Sequence, residues 1–143
     1  MQNPRALIQV NSTGTSLRQV ALPDMVAAKW GRIVMISSSS AQRGAPFVAH
    51  YAASKGGVIT LTKSLARECA GDGITVNIAP ADIETPMQHQ AQTAGYLKSN
   101  EDIARNIPPG HLGSGADIAA GGFLCSEEAG FITGQVLALT GEW

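Results

Sequence analysis

The chain has 143 residues, 44% of them apolar and 15% charged, with a formal net charge of −1. A compact chain of that size buries roughly 68–70% of its unfolded surface, so a core is expected, and neither disorder nor a polyanion-binding surface is indicated, which leaves no nucleic acid among the expected partners. No run of about 18 apolar residues suits a membrane span, and the start MQNPRALIQV has one Arg and too short an apolar run for a secretory signal, so no membrane and a cytoplasmic location are expected.

The first thirty residues read as a helical region, broken by Gly14 and ended near Pro23 to Gly31. GRIVMIS at 31–37 follows as a strand. Residues 51–70 carry Val58, Leu61 and Leu65 at helical spacing, with Ile59 and Ala66 beside them, and the segment closes at Gly71 and Gly73. ITVNI at 74–78 is a second strand, and residues 86–116, rich in Gln, Gly and Pro, read as a substrate-side excursion or lid. DIAAGGFLCSEEAG from Asp117 predicts another helix, with Glu127 and Glu128 poorly placed for its dipole, and QVLAL at 135–139 a third strand. All three strands are nearly continuous in apolar character, which suits a parallel sheet covered on both faces. The order predicts an α/β fold with right-handed crossovers, one domain or a piece of one. GHLGSGAD at 110–117 falls short of a dinucleotide fingerprint, because Ile118 stands at the last glycine position and no strand precedes it; a capped loop-to-helix turn is the simpler account. Cys69 and Cys125 stand far apart without clustered His, so two reduced thiols and no metal site are expected.

HYAASK at 50–55 carries the chemistry. On a helix, residues four apart differ by about 40° in azimuth and about 6 Å along the axis, so Tyr51 and Lys55 share a face. A free tyrosine titrates near ~10, and a close cation in a partly desolvated cleft lowers that toward working pH, as proton transfer at a carbonyl or alcohol oxygen requires. A serine from the run ISSSS at 36–40 could hold the same oxygen, since ligands bind at the C-terminal edge of a parallel sheet. Tyr-x-x-x-Lys alone is more often a surface pair; the serine-ended strand before it sharpens the signal. A serine hydrolase is disfavoured, because Ser38 lacks the G-x-S-x-G setting and His50, His89 and His111 match no such signature.

WGRIVMISSSS, HYAASKGGVITLTKSLARECAGDGITVN, PADIETPM and FITGQVLALTG together resemble the second half of a short-chain dehydrogenase/reductase, similar to 3-oxoacyl-carrier-protein reductases and to secondary-alcohol or sugar dehydrogenases. The resemblance implies the C-terminal part of a Rossmann-like doubly wound parallel sheet. It also implies hydride transfer between NAD or NADP and a small-molecule carbonyl or secondary alcohol. Under it, Tyr51 is the general acid/base and Lys55 holds the nicotinamide ribose and activates the tyrosine. Ser38 is the catalytic serine, with Ser39 as the alternative register, and Ser37 and Ser40 are structural or supporting. Asn11 anchors a proton-relay water through its carbonyl, with a helix-kink residue as the lesser alternative. Pro80, Ile83 and Thr85 fall at the nicotinamide-contacting segment; Thr85 before Pro86 is also a plain helix start. Gly56 and Gly57 weaken an isolated helix by about 1 kcal/mol each, and the family packs this helix against its copy in a partner subunit, so a homo-oligomer is expected.

The resemblance also sets departures. The glycine-rich turn for the phosphates and the residue that selects NAD or NADP are not in this sequence, so residues 1–143 are expected to be one partial domain with half a cofactor pocket. The alternative is a non-catalytic fragment serving as a dimerising or interaction module. The stretches Asn11–Pro23, Asn77–Pro80 and Asp117–Phe123 each run one residue short of the pattern, Pro-Gly becomes Pro80-Ala81, and Glu142 replaces a glycine. The outer edge of GRIVMIS is expected to be exposed and prone to self-association.

Overall fold

The computed structural model describes residues 20–78 and 83–141. Helix α1 covers residues 20–28 and leads into strand β1 (Gly31–Met35), a short helix α2 (Ser40–Arg43) and the long helix α3 (Ala49–Cys69). A 3-10 turn (Ala70–Asp72) returns the chain to strand β2 (Ile74–Ile78). Helices α4 (Pro86–Thr93), α5 (Asn100–Ala104) and α6 (Gly115–Ala119) follow, and a 3-10 helix (Ala120–Cys125) precedes the C-terminal segment.

β1 and β2 pair in parallel, from Gly31 opposite Ile74 to Met35 opposite Ile78, with α3 as the crossover. The helix buries Val58, Thr62, Leu65, Ala66 and Cys69, an apolar stripe spaced at helical intervals. Leu65, Ala66 and Cys69 meet Ile74 and Val76 from β2, and Leu22, Met25 and Val26 of α1 and Ile33 and Met35 of β1 complete the cluster. Each Leu, Ile or Val buried there contributes about 1.5–3 kcal/mol relative to exposure. Thr62 enters this core because its hydroxyl donates to the Val58 carbonyl at 2.9 Å.

Helix α1 runs through Pro23 and ends within the Pro23 to Gly31 window that its sequence suggests. The stop is at Lys29, which takes φ 52 while its N–H reaches the Val26 carbonyl and the Trp30 N–H reaches Met25. Those two bonds make a Schellman motif with a lysine where glycine usually sits. Gly73 supports this corner: its φ is 72, and a Cβ there would lie 2.3 Å from the Lys29 carbonyl oxygen. The Lys29 ammonium pairs with Asp72 across the same turn.

Two expectations are corrected. QVLAL forms no strand; Val136 alone makes a bridge. The reason lies upstream, where the edge of β2 is already served mainly by side chains. The Val76 N–H donates to Thr133 Oγ1 at 3.1 Å and its carbonyl accepts from the Gly134 N–H at 2.8 Å. Asn77, fully buried, donates to the Ile132 carbonyl at 2.7 Å and accepts from the Gln135 N–H at 3.1 Å.

The helix from Asp117 is α-helical only to Ala119 and then tightens. A 3-10 helix turns about 20° more per residue than an α-helix, so its six residues gain about 120°. That is close to the rotation one missing residue would supply, and it brings Leu124 to 2% exposure. Glu127 lies beyond the helix end and accepts from the Trp30 indole at 2.8 Å.

The excursion after β2 is closed at its stem. Ile83 bridges Gly113, and the Glu84 N–H donates to the Gly113 carbonyl at 3.0 Å. Inside it, Asn100 donates to Glu84 at 3.0 Å and accepts from Gln92 at 2.7 Å, while His89 lies 3.0 Å from the same Glu84 oxygen.

Candidate active site

The chain leaves β1 at Met35 and passes directly into the serine run, so hydroxyls accumulate at the C-terminal edge of the sheet. Ser37, Ser38 and Ser39 are all buried, at 5%, 7% and 2% exposure. Their chemistry differs by partner. Ser38 Oγ accepts from the Ser40 N–H at 3.2 Å, which occupies oxygen lone-pair capacity and leaves its own O–H to donate elsewhere. Ser37 Oγ instead donates to the Lys55 main-chain carbonyl at 2.9 Å.

The connection to α3 is built from unusual backbone. Gly44 takes φ 76 and ψ 162 as it ends α2, and Phe47 takes φ 65 with its ring almost fully exposed. Helix α3 then begins at Ala49, which places Tyr51 and Lys55 in its first two turns. Both are half-buried. The Lys55 ammonium lies 6.0 Å from the centroid of the Tyr51 ring and donates to the Ile36 carbonyl at 3.0 Å. Burial pushes Lys55 below the ordinary lysine range, because its charged form loses hydration. Ser54 Oγ donates to the Tyr51 carbonyl at 2.7 Å, a bond within this turn of the helix.

Thus Lys55 sits over Tyr51 and is tied to the strand end one and two residues before Ser38. Thr85 serves as the N-cap of α4: its Oγ1 accepts from the Gln88 N–H at 3.2 Å, with Pro86 at the first turn. The plain helix start foreseen for Thr85 is therefore present. Ile83 forms the stem of the excursion with Gly113. Asn11 and Pro80 lie outside the described residues. Gly56 and Gly57, on the helix that bears Tyr51 and Lys55, have no described neighbour within 4 Å of a hypothetical Cβ. Ile36 is given no role by the sequence and Ser37 only a structural or supporting one; the signal for both is the serine run directly after an apolar strand. Among the described residues no cluster of His, Cys, Asp or Glu could hold a metal ion, and no helix is long and apolar enough to cross a membrane.

The donor set suits a nicotinamide cofactor's ribose. An ammonium has three N–H donors, of which Ile36 takes one, so two remain for hydroxyl oxygens.

A family model described as Enoyl-(Acyl carrier protein) reductase matches residues 2–141. The chain belongs to the short-chain dehydrogenase/reductase family. It is 40% identical over 141 residues to the 3-oxoacyl-(acyl-carrier-protein) reductase FabG of Haemophilus influenzae, covering 94% of this chain and 55% of that protein. It is likewise 40% identical over 129 residues to a 2,3-dihydroxy-2,3-dihydro-p-cumate dehydrogenase of Pseudomonas putida, covering 86% and 48%. Among solved structures, a putative NAD(P)-dependent gluconate 5-dehydrogenase from Beutenbergia cavernae with bound NADP superposes with a TM-score of 0.87 at 33% identity, over 96% of this chain and 56% of that one. ElxO with NADP bound gives 0.77 at 36% identity, over 87% and 50%. The chain therefore spans about half the length of the curated relatives it matches. The α/β fold and the oxidoreductase family follow from these matches.

Proposed function

We propose that this chain carries the proton-transfer half of an NAD(P)-dependent oxidoreductase that interconverts a small-molecule carbonyl and a secondary alcohol. The observation that supports it is the pair of bonds between Lys55 and the end of β1. They bring the ammonium, the Tyr51 ring and the serine run to one corner of the sheet. A nicotinamide cofactor, when bound, supplies or accepts the hydride at the reacting carbon. Everything else is assigned to side chains of this chain.

Ser38, its oxygen already holding the Ser40 N–H, donates its hydroxyl to the substrate oxygen. Tyr51 gives its phenolic proton to that oxygen in reduction and takes it back in oxidation. Lys55 holds the cofactor ribose with the N–H groups that Ile36 leaves over, and its charge balances the developing tyrosinate. Asn11 belongs to the same proposal as the anchor of a relay water. Pro80, Ile83 and Thr85 belong to it as the segment facing the nicotinamide, with the α4 cap fixing where that segment ends. The 84–113 excursion covers the substrate side. A cytoplasmic location and homo-oligomeric assembly complete this reading.

A second reading is a dimerising or interaction module without catalysis. The open surface at Gly56 and Gly57 favours it, since two adjacent glycines let another helix approach closely.

Two measurements separate these readings. Tyr51→Phe should abolish turnover with little change in melting temperature, and retained turnover would reject the assignment. NADH or NADPH at a hundredfold over Kd should stabilise the chain by about 2.7 kcal/mol. No thermal shift at millimolar concentrations of either cofactor would favour the module.

A further inference from the structure

Two hydrogen bonds of opposite sense meet on one residue where β1 approaches α3. Ser37 Oγ donates to the Lys55 carbonyl at 2.9 Å, and Lys55 Nζ donates to the Ile36 carbonyl at 3.0 Å. Consecutive residues of the strand end therefore grip Lys55 at both its main chain and its ammonium. A carbonyl oxygen has two lone pairs, so the Lys55 carbonyl can serve its own helix and still accept from Ser37. At 5% exposure, Ser37 leaves little room for water to take over its bond. A flexible four-carbon lysine stem is thereby given a fixed base and a fixed tip, which is the kind of preorganisation a site on rigid elements requires.

We propose that Ser37 is a positioning residue. Its hydroxyl sets the placement of α3 at Lys55, so that the ammonium, held by the Ile36 carbonyl, directs its two remaining N–H groups toward a cofactor ribose beside the Tyr51 ring. This deepens the reading of Lys55 given above and rests on it.

Ser37→Thr and Ser37→Val isolate the hydroxyl, because the two replacements have nearly the same shape and differ in that one group. The Lys55 Cε resonance, followed through pH in the isotopically labelled full chain, reads the geometry without any turnover. Loss of the hydroxyl lets the helix start drift from the strand end and water reach the ammonium. In Ser37→Val, Lys55 should therefore titrate closer to ordinary lysine than in Ser37→Thr, with a changed chemical shift. Turnover with NAD(P)H should fall about two- to tenfold in the valine variant, the range set by one hydrogen bond, and recover in the threonine variant. Identical Lys55 titrations and shifts in the two variants would overturn the proposal. Should the valine methyl groups unsettle the fold, Ser37→Ala takes its place and is compared with the unaltered chain. Lys55→Met provides the separate control: retained turnover there would reject the catalytic role of Lys55, while the resonance comparison still decides whether Ser37 positions it.

Discussion

Asn77 offers a direct test of how β2 holds the C-terminal segment. Its side chain is fully buried, donates to the Ile132 carbonyl at 2.7 Å and accepts from the Gln135 N–H at 3.1 Å. Each such bond contributes about 0.5–1.5 kcal/mol net, and a buried partner left unpaired costs about 1–3 kcal/mol. Asn77→Ala removes both bonds and leaves two main-chain groups to find water, so a loss of about 3 kcal/mol is expected. At about 2–4 °C per kcal/mol the melting temperature should drop by roughly 6–12 °C. Asn77→Asp makes the test specific. One carboxylate oxygen can still accept from Gln135, but the other faces the Ile132 carbonyl, acceptor against acceptor in a buried place. Its folded pKa is therefore raised above about 3.9, the unfolded value. The protonated acid can donate to Ile132, so the variant's stability is fully present below the unfolded pKa and is lost as pH rises through the folded one. Calorimetry or urea titration at pH 3 and pH 7, referenced to the unaltered chain, reads both effects. A loss under about 1 kcal/mol in Asn77→Ala, or a pH-independent difference in Asn77→Asp, would refute the account of this edge.

Gly73→Ala should destabilise by at least about 2 kcal/mol in urea unfolding, because the left-handed conformation alone costs about 1–2 kcal/mol and the added Cβ meets the Lys29 carbonyl oxygen at 2.3 Å. Gly56→Ala, with open space around it, should instead stabilise a monomer by up to about 1 kcal/mol. Asp117 is held below the usual carboxylate range by the Ser114 N–H first and then by the Ser114 hydroxyl, with bonds of 2.6 and 2.7 Å. Its folded pKa is depressed, so the stabilisation it brings to α6 is present above the unfolded value of 3.8 and is lost as pH falls through the folded one. Amide exchange in α6 should lose that acid sensitivity in Asp117→Asn.

Much of this was legible in the sequence because periodicity and burial agree. The apolar runs of β1 and β2 and the stripe of α3 predict the parallel pair and its crossover, and the Gly73 stop stands where the chain turns. The misses share a cause: a local hydrogen bond replaced a regular one. QVLAL was misread because the Asn77 and Thr133 side chains take positions that a backbone ladder would otherwise fill. The helix from Asp117 passes into 3-10 winding at Ala120, where i to i+3 bonds replace the α-helical ones, and its apolar residues look the same in either winding. In the site, spacing pairs Tyr51 with Lys55, but the tie of Lys55 to residues 36 and 37 depends on tertiary approach and has no sequence period.

The parallel pairing of Gly31 with Ile74 also has a kinetic meaning. The first ladder contact joins residues far apart in sequence, with α3 between them, so a long loop must close before β1 and β2 reward the chain. Helix α3 can form within microseconds on its own, whereas the strand pairing waits for that closure. Ser38, Tyr51 and Lys55 all lie within the same loop. Tyr51 and Lys55 share α3 and can come together as that helix forms, whereas the serine run reaches them only when the end of β1 packs on α3, so the site should be completed with the core rather than before it.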